Sequence, residues 1–141
     1  REDGRYWLQQ RAHDKDTDPG LWDTLAGGLV GTEIIDGQRQ REGLRIATMR
    51  ESWEEAGIEP EMLQDMRALP SSHINRMVSE GHMMQDNHVF ICTLPIDFTP
   101  DNRDGEVAGF AHFSRDEIIG LIATSQMALE PAIIMLQIFT A

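Results

Sequence analysis

Between Gly4 and the charged stretch Asp14-Lys15-Asp16-Thr17-Asp18-Pro19-Gly20, the run Tyr6 to Arg11 reads as a strand. A second short strand is expected from Trp22 to Ala26, stopping at Gly27-Gly28, and a polar loop from Gly31 to about Gln40. Residues from Glu42 to Ala56 carry a helical pattern. Ile46, Met49, Trp53 and Ala56 recur at spacings of three, four and three and form one apolar stripe. Gly57 suits a left-handed helix end, and Pro60 prevents continuation. Downstream, Arg67 to Leu69, Ile74 to Val78, His88 to Leu94 and Glu106 to Phe113 are strand candidates. A loop rich in polar residues and Met, Ser79 to Asn87, separates the middle two. Ser114-Arg115-Asp116-Glu117 has capping-box form and opens a helix through Leu121. A last, mostly apolar helix runs from about Glu130 to Phe139, with Pro131 in its tolerant first turn. Strands and helices mix through short connections, which predicts an α/β fold of packed layers.

Composition narrows the functional classes. The 141 residues fit one domain, residues 1–141, with a single core. The chain starts almost inside a strand and ends inside an apolar helix, so truncation at both ends is expected. A homodimer or a preceding N-terminal domain would complete such a start. No apolar run approaches the roughly 20 residues of a membrane span, and no signal-peptide pattern is read at Arg1-Glu2-Asp3-Gly4. A cytoplasmic address without membrane association is the expectation. The single cysteine, Cys92, lies in the apolar run Val89 to Cys92 and reads as a buried structural thiol. A formal charge of −12 argues against nucleic-acid binding, which relies on clustered Lys and Arg. It leaves room for a small phosphorylated substrate if a metal ion supplies positive charge.

The helix over Glu42 to Ala56 carries the chemistry. At about 100° per residue, Glu54, Glu51 and Glu55 share one face, expected to lie opposite the apolar stripe. Like charges at these spacings repel, and the helix macrodipole disfavours anions near its C-terminus. A bare Glu-x-x-Glu-Glu is usually a solvated acidic face. A hard divalent cation with oxygen ligands would instead neutralise it.

The longer pattern changes that balance. Glu42 precedes Arg50 by eight positions, and Arg50-Glu51-Ser52-Trp53-Glu54-Glu55-Ala56-Gly57-Ile58 follows without a gap. This resembles the Nudix box, with Ser52 at a position usually aliphatic. Asp36, rather than the family's glycine, stands six residues before Glu42. Gly28 of the pair Gly27-Gly28 is the better equivalent, which implies an insertion of eight residues before Glu42. The likeness covers roughly Tyr6 to Phe139 and implies a Nudix-type α/β/α sandwich around a mixed β-sheet. It also implies Mg²⁺-dependent (or Mn²⁺-dependent) hydrolysis of a diphosphate linkage. The stretches Thr17 to Asp23 and Asp104 to Phe110 resemble the Nudix domains fused to thiamine pyrophosphokinases. That similarity implies a thiamine diphosphate-like substrate, alongside nucleoside diphosphate derivatives.

On this resemblance, Glu51, Glu54 and Glu55 are expected metal ligands, with the Gly28 carbonyl beside them. Glu55, Glu42 and Glu106 are candidate general bases, and Arg50 is expected to orient a glutamate through a bidentate pair. His13, His73, His82, His88 and His112 show no metal-ligand spacing, although His82 falls in a loop able to cover substrate. Trp7, Trp22 and Trp53 read as packing residues, with Trp7 or Tyr6 also able to stack on a ring. Met77, Met83 and Met84 read as gap-fillers. Specificity is expected in the loops Asp14 to Leu21, Gly31 to Arg41 and Ser79 to Asn87. The rival readings are a Nudix-fold sensor that binds without cleavage, and an acidic interaction domain that binds no metal.

Overall fold

The computed structural model describes residues 1–79 and 81–141. Its elements, in chain order, begin with β1 (Tyr6–Arg11), β2 (Trp22–Thr24), β3 (Thr32–Ile35), β4 (Gln38–Arg41) and α1 (Leu44–Ala56). A 3-10 turn at Pro60–Leu63 follows, then β5 (Arg67–Ala68), β6 (Ser72–Val78), β7 (Gly81–Asn87) and β8 (Phe90–Ile91). The chain closes with β9 (Val107–Phe113), α2 (Arg115–Ala123) and α3 (Leu129–Thr140).

β1 is the centre of the sheet, pairing antiparallel with β2 on one side and β9 on the other. Its side chains alternate between two layers, as the strand period requires. Tyr6 and Leu8 face α2 and α3, where Leu8, Ile118, Met127, Ala132 and Met135 form one buried cluster. Trp7 faces the opposite layer, packing on Ala56, Ile58, Leu63, Met66 and Leu94 at the end of α1. β9 repeats the division. Phe113, opposite Tyr6, joins the first cluster, and Phe110, opposite Gln9, joins the second. Helices therefore cover both faces of the sheet. The named strands pair antiparallel, and a bridge between Trp22 and Met127 adds a parallel contact. Leu8 and Ile118 are almost completely buried, and each such side chain contributes about 1.5–3 kcal/mol.

Several expected details hold. β1 spans Tyr6 to Arg11 as expected, Gly57 ends α1 in the left-handed region (φ 64°), and Ser114 and Glu117 cap α2 reciprocally. Other expectations are corrected. The polar loop after Gly31 is a hairpin, β3–β4, turning at Asp36 (φ 51°) and Gly37 (φ 76°). Two successive positive φ values match the twist of a tight hairpin, which is why Asp-Gly stands there. Of the expected loop Ser79 to Asn87, residues 81–87 form β7 and pair with β6, while Glu80 lies outside the described residues. His88 to Leu94 is strand only at Phe90–Ile91, against β5.

The apolar stripe of α1 holds in part. Ala56 is buried and Met49 packs against the same cluster, but Ile46 and Trp53 are 60% and 42% exposed, and Ala47, Ser52 and Glu55 are buried in their stead. The helix has turned part of its acidic side inward. Hydrogen bonds from the sheet side reach Glu55 there, and the Arg103 guanidinium lies 4.5 Å from the centroid of the exposed Trp53 ring. Among the described residues no helix is long and apolar enough to cross a membrane.

Candidate active site

The acidic helix is set against the Gly27-Gly28 pair and the loop before β9. Arg50 organises its first turns. Its Nε and Nη2 donate to the two oxygens of Glu42 at 3.1 and 3.0 Å, the expected bidentate pair. Its Nη1 also donates to Glu51 at 2.7 Å and to Glu54 at 3.3 Å. Glu42 is buried and accepts a further bond from the Gly31 N–H at 3.0 Å. The Arg50 and Gly31 hydrogen bonds hold its carboxyl below the usual range, and both its oxygens are occupied. The same contact with Glu42 holds the Arg50 guanidinium more firmly protonated.

Glu55 is in a different environment. Its Oε2 accepts from Gln9 Nε2 at 3.0 Å and from the Gly27 N–H at 2.9 Å. Burial pushes its carboxyl up to about 7 despite those bonds, with Glu51 and Asp104 adding repulsion. Oxygen atoms of Glu55, Asp104 and Glu106 lie within 4.8 Å of one another. The loop bearing the last two is fastened to the helix end by backbone bonds from Asp101 N to Ala56 O and from Arg103 N to Glu54 O, each 3.0 Å. Glu106 also forms an ion pair with Lys15 from the loop between β1 and β2.

The glycine pair fits closely. A Cβ on Gly28 would stand 2.1 Å from the Glu51 carboxyl carbon, so glycine there lets the Glu51 carboxylate lie against the backbone where any side chain would push it aside. The insertion leaves this end of the box beside the acidic helix, because the base of β3–β4 is pinned. Glu42 N bonds Gly31 O at 2.9 Å, while Gly31 N bonds the Glu42 carboxylate.

The donors around Glu55 are hard oxygens, as a small divalent cation prefers. Gln9 Oε1, buried next to that carboxylate, has no partner among the described residues. The acidic group therefore fits a metal ion. It opens onto a groove of about 1150 Å³ bounded by Glu51, Glu55, Glu106 and the β6–β7 hairpin.

The structure brings Glu55 and Glu106 together, and sets Glu51 against Gly28, with Glu51 and Glu54 on the Arg50 side. Asp104 was missed. Its Asp-Gly-Glu context marks a turn into a strand, but nothing in the spacing pairs it with a helix about fifty residues away. His82 is exposed on β7 against Asn75 and is not among the residues that line the groove. Met83 and Met84 do line it, and Trp7 reaches it from β1.

A NUDIX domain match spans residues 1–134. The chain belongs to the NUDIX domain family. Among solved structures, this Nudix domain is similar to the NUDIX domain of Shewanella oneidensis NrtR complexed with ADP ribose. The TM-score is 0.70 at 16% identity, over 96% of this chain and 76% of that one. A Deinococcus radiodurans protein gives 0.63 at 22% identity, over 94% and 74% of the two chains. A C. elegans Ap4A hydrolase in a binary complex gives 0.59 at 13% identity, over 96% and 84%. Likeness at these identities establishes the fold, whose α/β class and layered helices match the sequence reading. No curated protein matches the chain.

Proposed function

We propose that this Nudix domain is a Mg²⁺-dependent hydrolase of a diphosphate linkage, acting on a nucleoside diphosphate derivative or a thiamine diphosphate-like compound. The carrying observation is the meeting of buried Glu55 with Asp104 and Glu106 on the groove. Family membership supports the reaction class, and two structural neighbours, one complexed with ADP ribose and one an Ap4A hydrolase, support the phosphorylated substrate.

Glu51, Glu54, Glu55 and the Gly28 carbonyl, joined by Asp104 and Glu106, would hold the cation. When bound, Mg²⁺ (or Mn²⁺) offsets charge on phosphoryl oxygens and acidifies water. The chain's own groups divide the remaining work. Arg50 orients Glu51 and Glu54. Of the candidate bases, Glu42 has both oxygens occupied, and Glu106 is engaged in an ion pair with Lys15. Glu55 remains. With a carboxyl near 7, and Oε2 fixed by Gln9 and Gly27, it is suited to take a proton from the attacking water at Oε1.

One observation favours a second reading, a sensor that binds ligand without cleaving it. Arg50 already neutralises Glu51 and Glu54, two expected metal ligands. Product formation resolved by chromatography separates the readings, measured with and without Mg²⁺ on thiamine diphosphate, its oxidised analogues, ADP-ribose, dinucleoside polyphosphates and nucleoside triphosphates. Mg²⁺-dependent cleavage of a member of this panel, seen as phosphomonoesters, pyrophosphate or phosphate, upholds the hydrolase. Binding without cleavage of any of them favours the sensor.

A further inference from the structure

The carboxylates that would hold a divalent cation offset its charge, so a diphosphate in the groove needs side-chain cations that are not already committed. The chain has few. Five line the groove: Arg1, Arg11, Lys15, Arg41 and Arg76. Arg1 pairs with Asp3 at 3.0 Å, Arg11 with Asp23 at 3.0 Å, and Lys15 with Glu106. Arg76 is held by Glu130 at 2.7 Å. Arg41 alone of the five has no carboxylate within 4.0 Å among the described residues.

Its backbone is fixed even though its side chain is free. Arg41 ends β4 opposite Thr32 of β3, one residue before Glu42, and Glu42 is clamped by Arg50 and Gly31. The inserted hairpin thus carries a cation to the groove on a root tied directly to the acidic helix. Asp86 also lines the groove, and its carboxyl is lowered first by the hydrogen bond with His73 and then by the charges of His73, His88 and, last, Arg41.

We infer that Arg41 binds the substrate's phosphate oxygens, making the inserted β3–β4 hairpin a substrate-binding arm of this domain. The assignment rests on the diphosphate reading above and adds the residue that selects for anionic charge. A guanidinium offers two parallel N–H donors to one phosphate, a fit that an ammonium reproduces only in charge.

The test uses the full chain and the non-cleavable α,β-methylene analogue of ADP, titrated calorimetrically in Mn²⁺. Arg41→Ala should weaken binding about tenfold and Arg41→Lys about threefold, with adenosine affinity unmoved. Arg39→Ala removes the same charge from the same hairpin away from the groove, and should bind the analogue as the unaltered protein does. Equal affinity in Arg41→Ala and the unaltered protein, including no binding to either, overturns the inference. So does an equal loss in Arg39→Ala, which would make the effect one of net charge. Turnover on the substrate panel reports separately on the hydrolase reading. A chain that cleaves no member of the panel, yet loses analogue affinity through Arg41, sinks the hydrolase and keeps the arm. A chain that hydrolyses with the same KM in Arg41→Ala does the reverse.

Discussion

Two acidic clusters share one helix and differ in how their charge is met. Around Arg50, the carboxylates of Glu42, Glu51 and Glu54 converge on one guanidinium, so the cluster carries much of its own counter-charge. Around Glu55, the carboxylates of Asp104 and Glu106 gather with Lys15 the one ion-pair partner among the described residues, and one member is buried. The first arrangement fixes side chains. The second stores repulsion that an added cation relieves. On the proposed reading, the glutamates of one motif divide between positioning and chemistry according to what faces them.

The sharpest break in this comparison is Glu55→Gln, which keeps the shape and removes the titrating oxygen. Its kcat should fall about 10³-fold with the circular dichroism spectrum unchanged. Glu54→Gln should also suppress Mg²⁺-dependent turnover, and full activity in either variant removes that residue from the machinery. Gly28→Ala comes next. The new methyl must displace Glu51, and kcat/KM should drop about tenfold, whereas Gly27→Ala, whose Cβ would meet its nearest atom at 3.8 Å, should lose less.

Arg50→Met should lower Tm by about 5 °C, because it strands Glu42 without its partner. Stability measured against pH tests the other cluster. The folded chain holds the Glu55 proton more tightly than the unfolded chain does, since burial raises that carboxyl from 4.5 to about 7. Its contribution is therefore complete below about 4.5 and lost as pH rises through about 7. In metal-free protein, Tm should decline across that window, and Glu55→Gln should decline less. Lowered carboxyls such as Glu42 and Glu117 act with the opposite sign, failing as pH falls through their folded values. The smallest effect is expected from Lys15→Ala. Removing an exposed ion-pair partner should tighten Mn²⁺ binding about twofold, read by calorimetry.

The long-period features were legible in the chain. The spacing from Glu42 through Gly57 marked helix, cap and acid cluster, because each depends on neighbours within a few turns. Ser114 to Glu117 announced its cap for the same reason. The orientation of α1 was not legible. Ile46 and Trp53 fit an apolar stripe as well as any core residue, and only the distant Arg103, Gln9 and Gly27 decide which side turns inward. The β3–β4 hairpin had a readable signal in Asp36-Gly37 after Ile34-Ile35, obscured by polar residues on both flanks. β7 gave less, since His82 to Asn87 shows no alternation of apolar and polar residues and its strand faces water on one side. Asp104 reached the site through tertiary contact alone.

The backbone bonds from Asp101 and Arg103 to the last turn of α1 make the two halves of the acidic group one mechanical piece. Amide exchange at those two positions should keep pace with the helix terminus rather than with the surface loop around them. A perturbation that frays α1 would then scatter Asp104 and Glu106 at the same moment as Glu55. The pocket for the ion would be present whole or not at all, so metal titration should track a single cooperative opening.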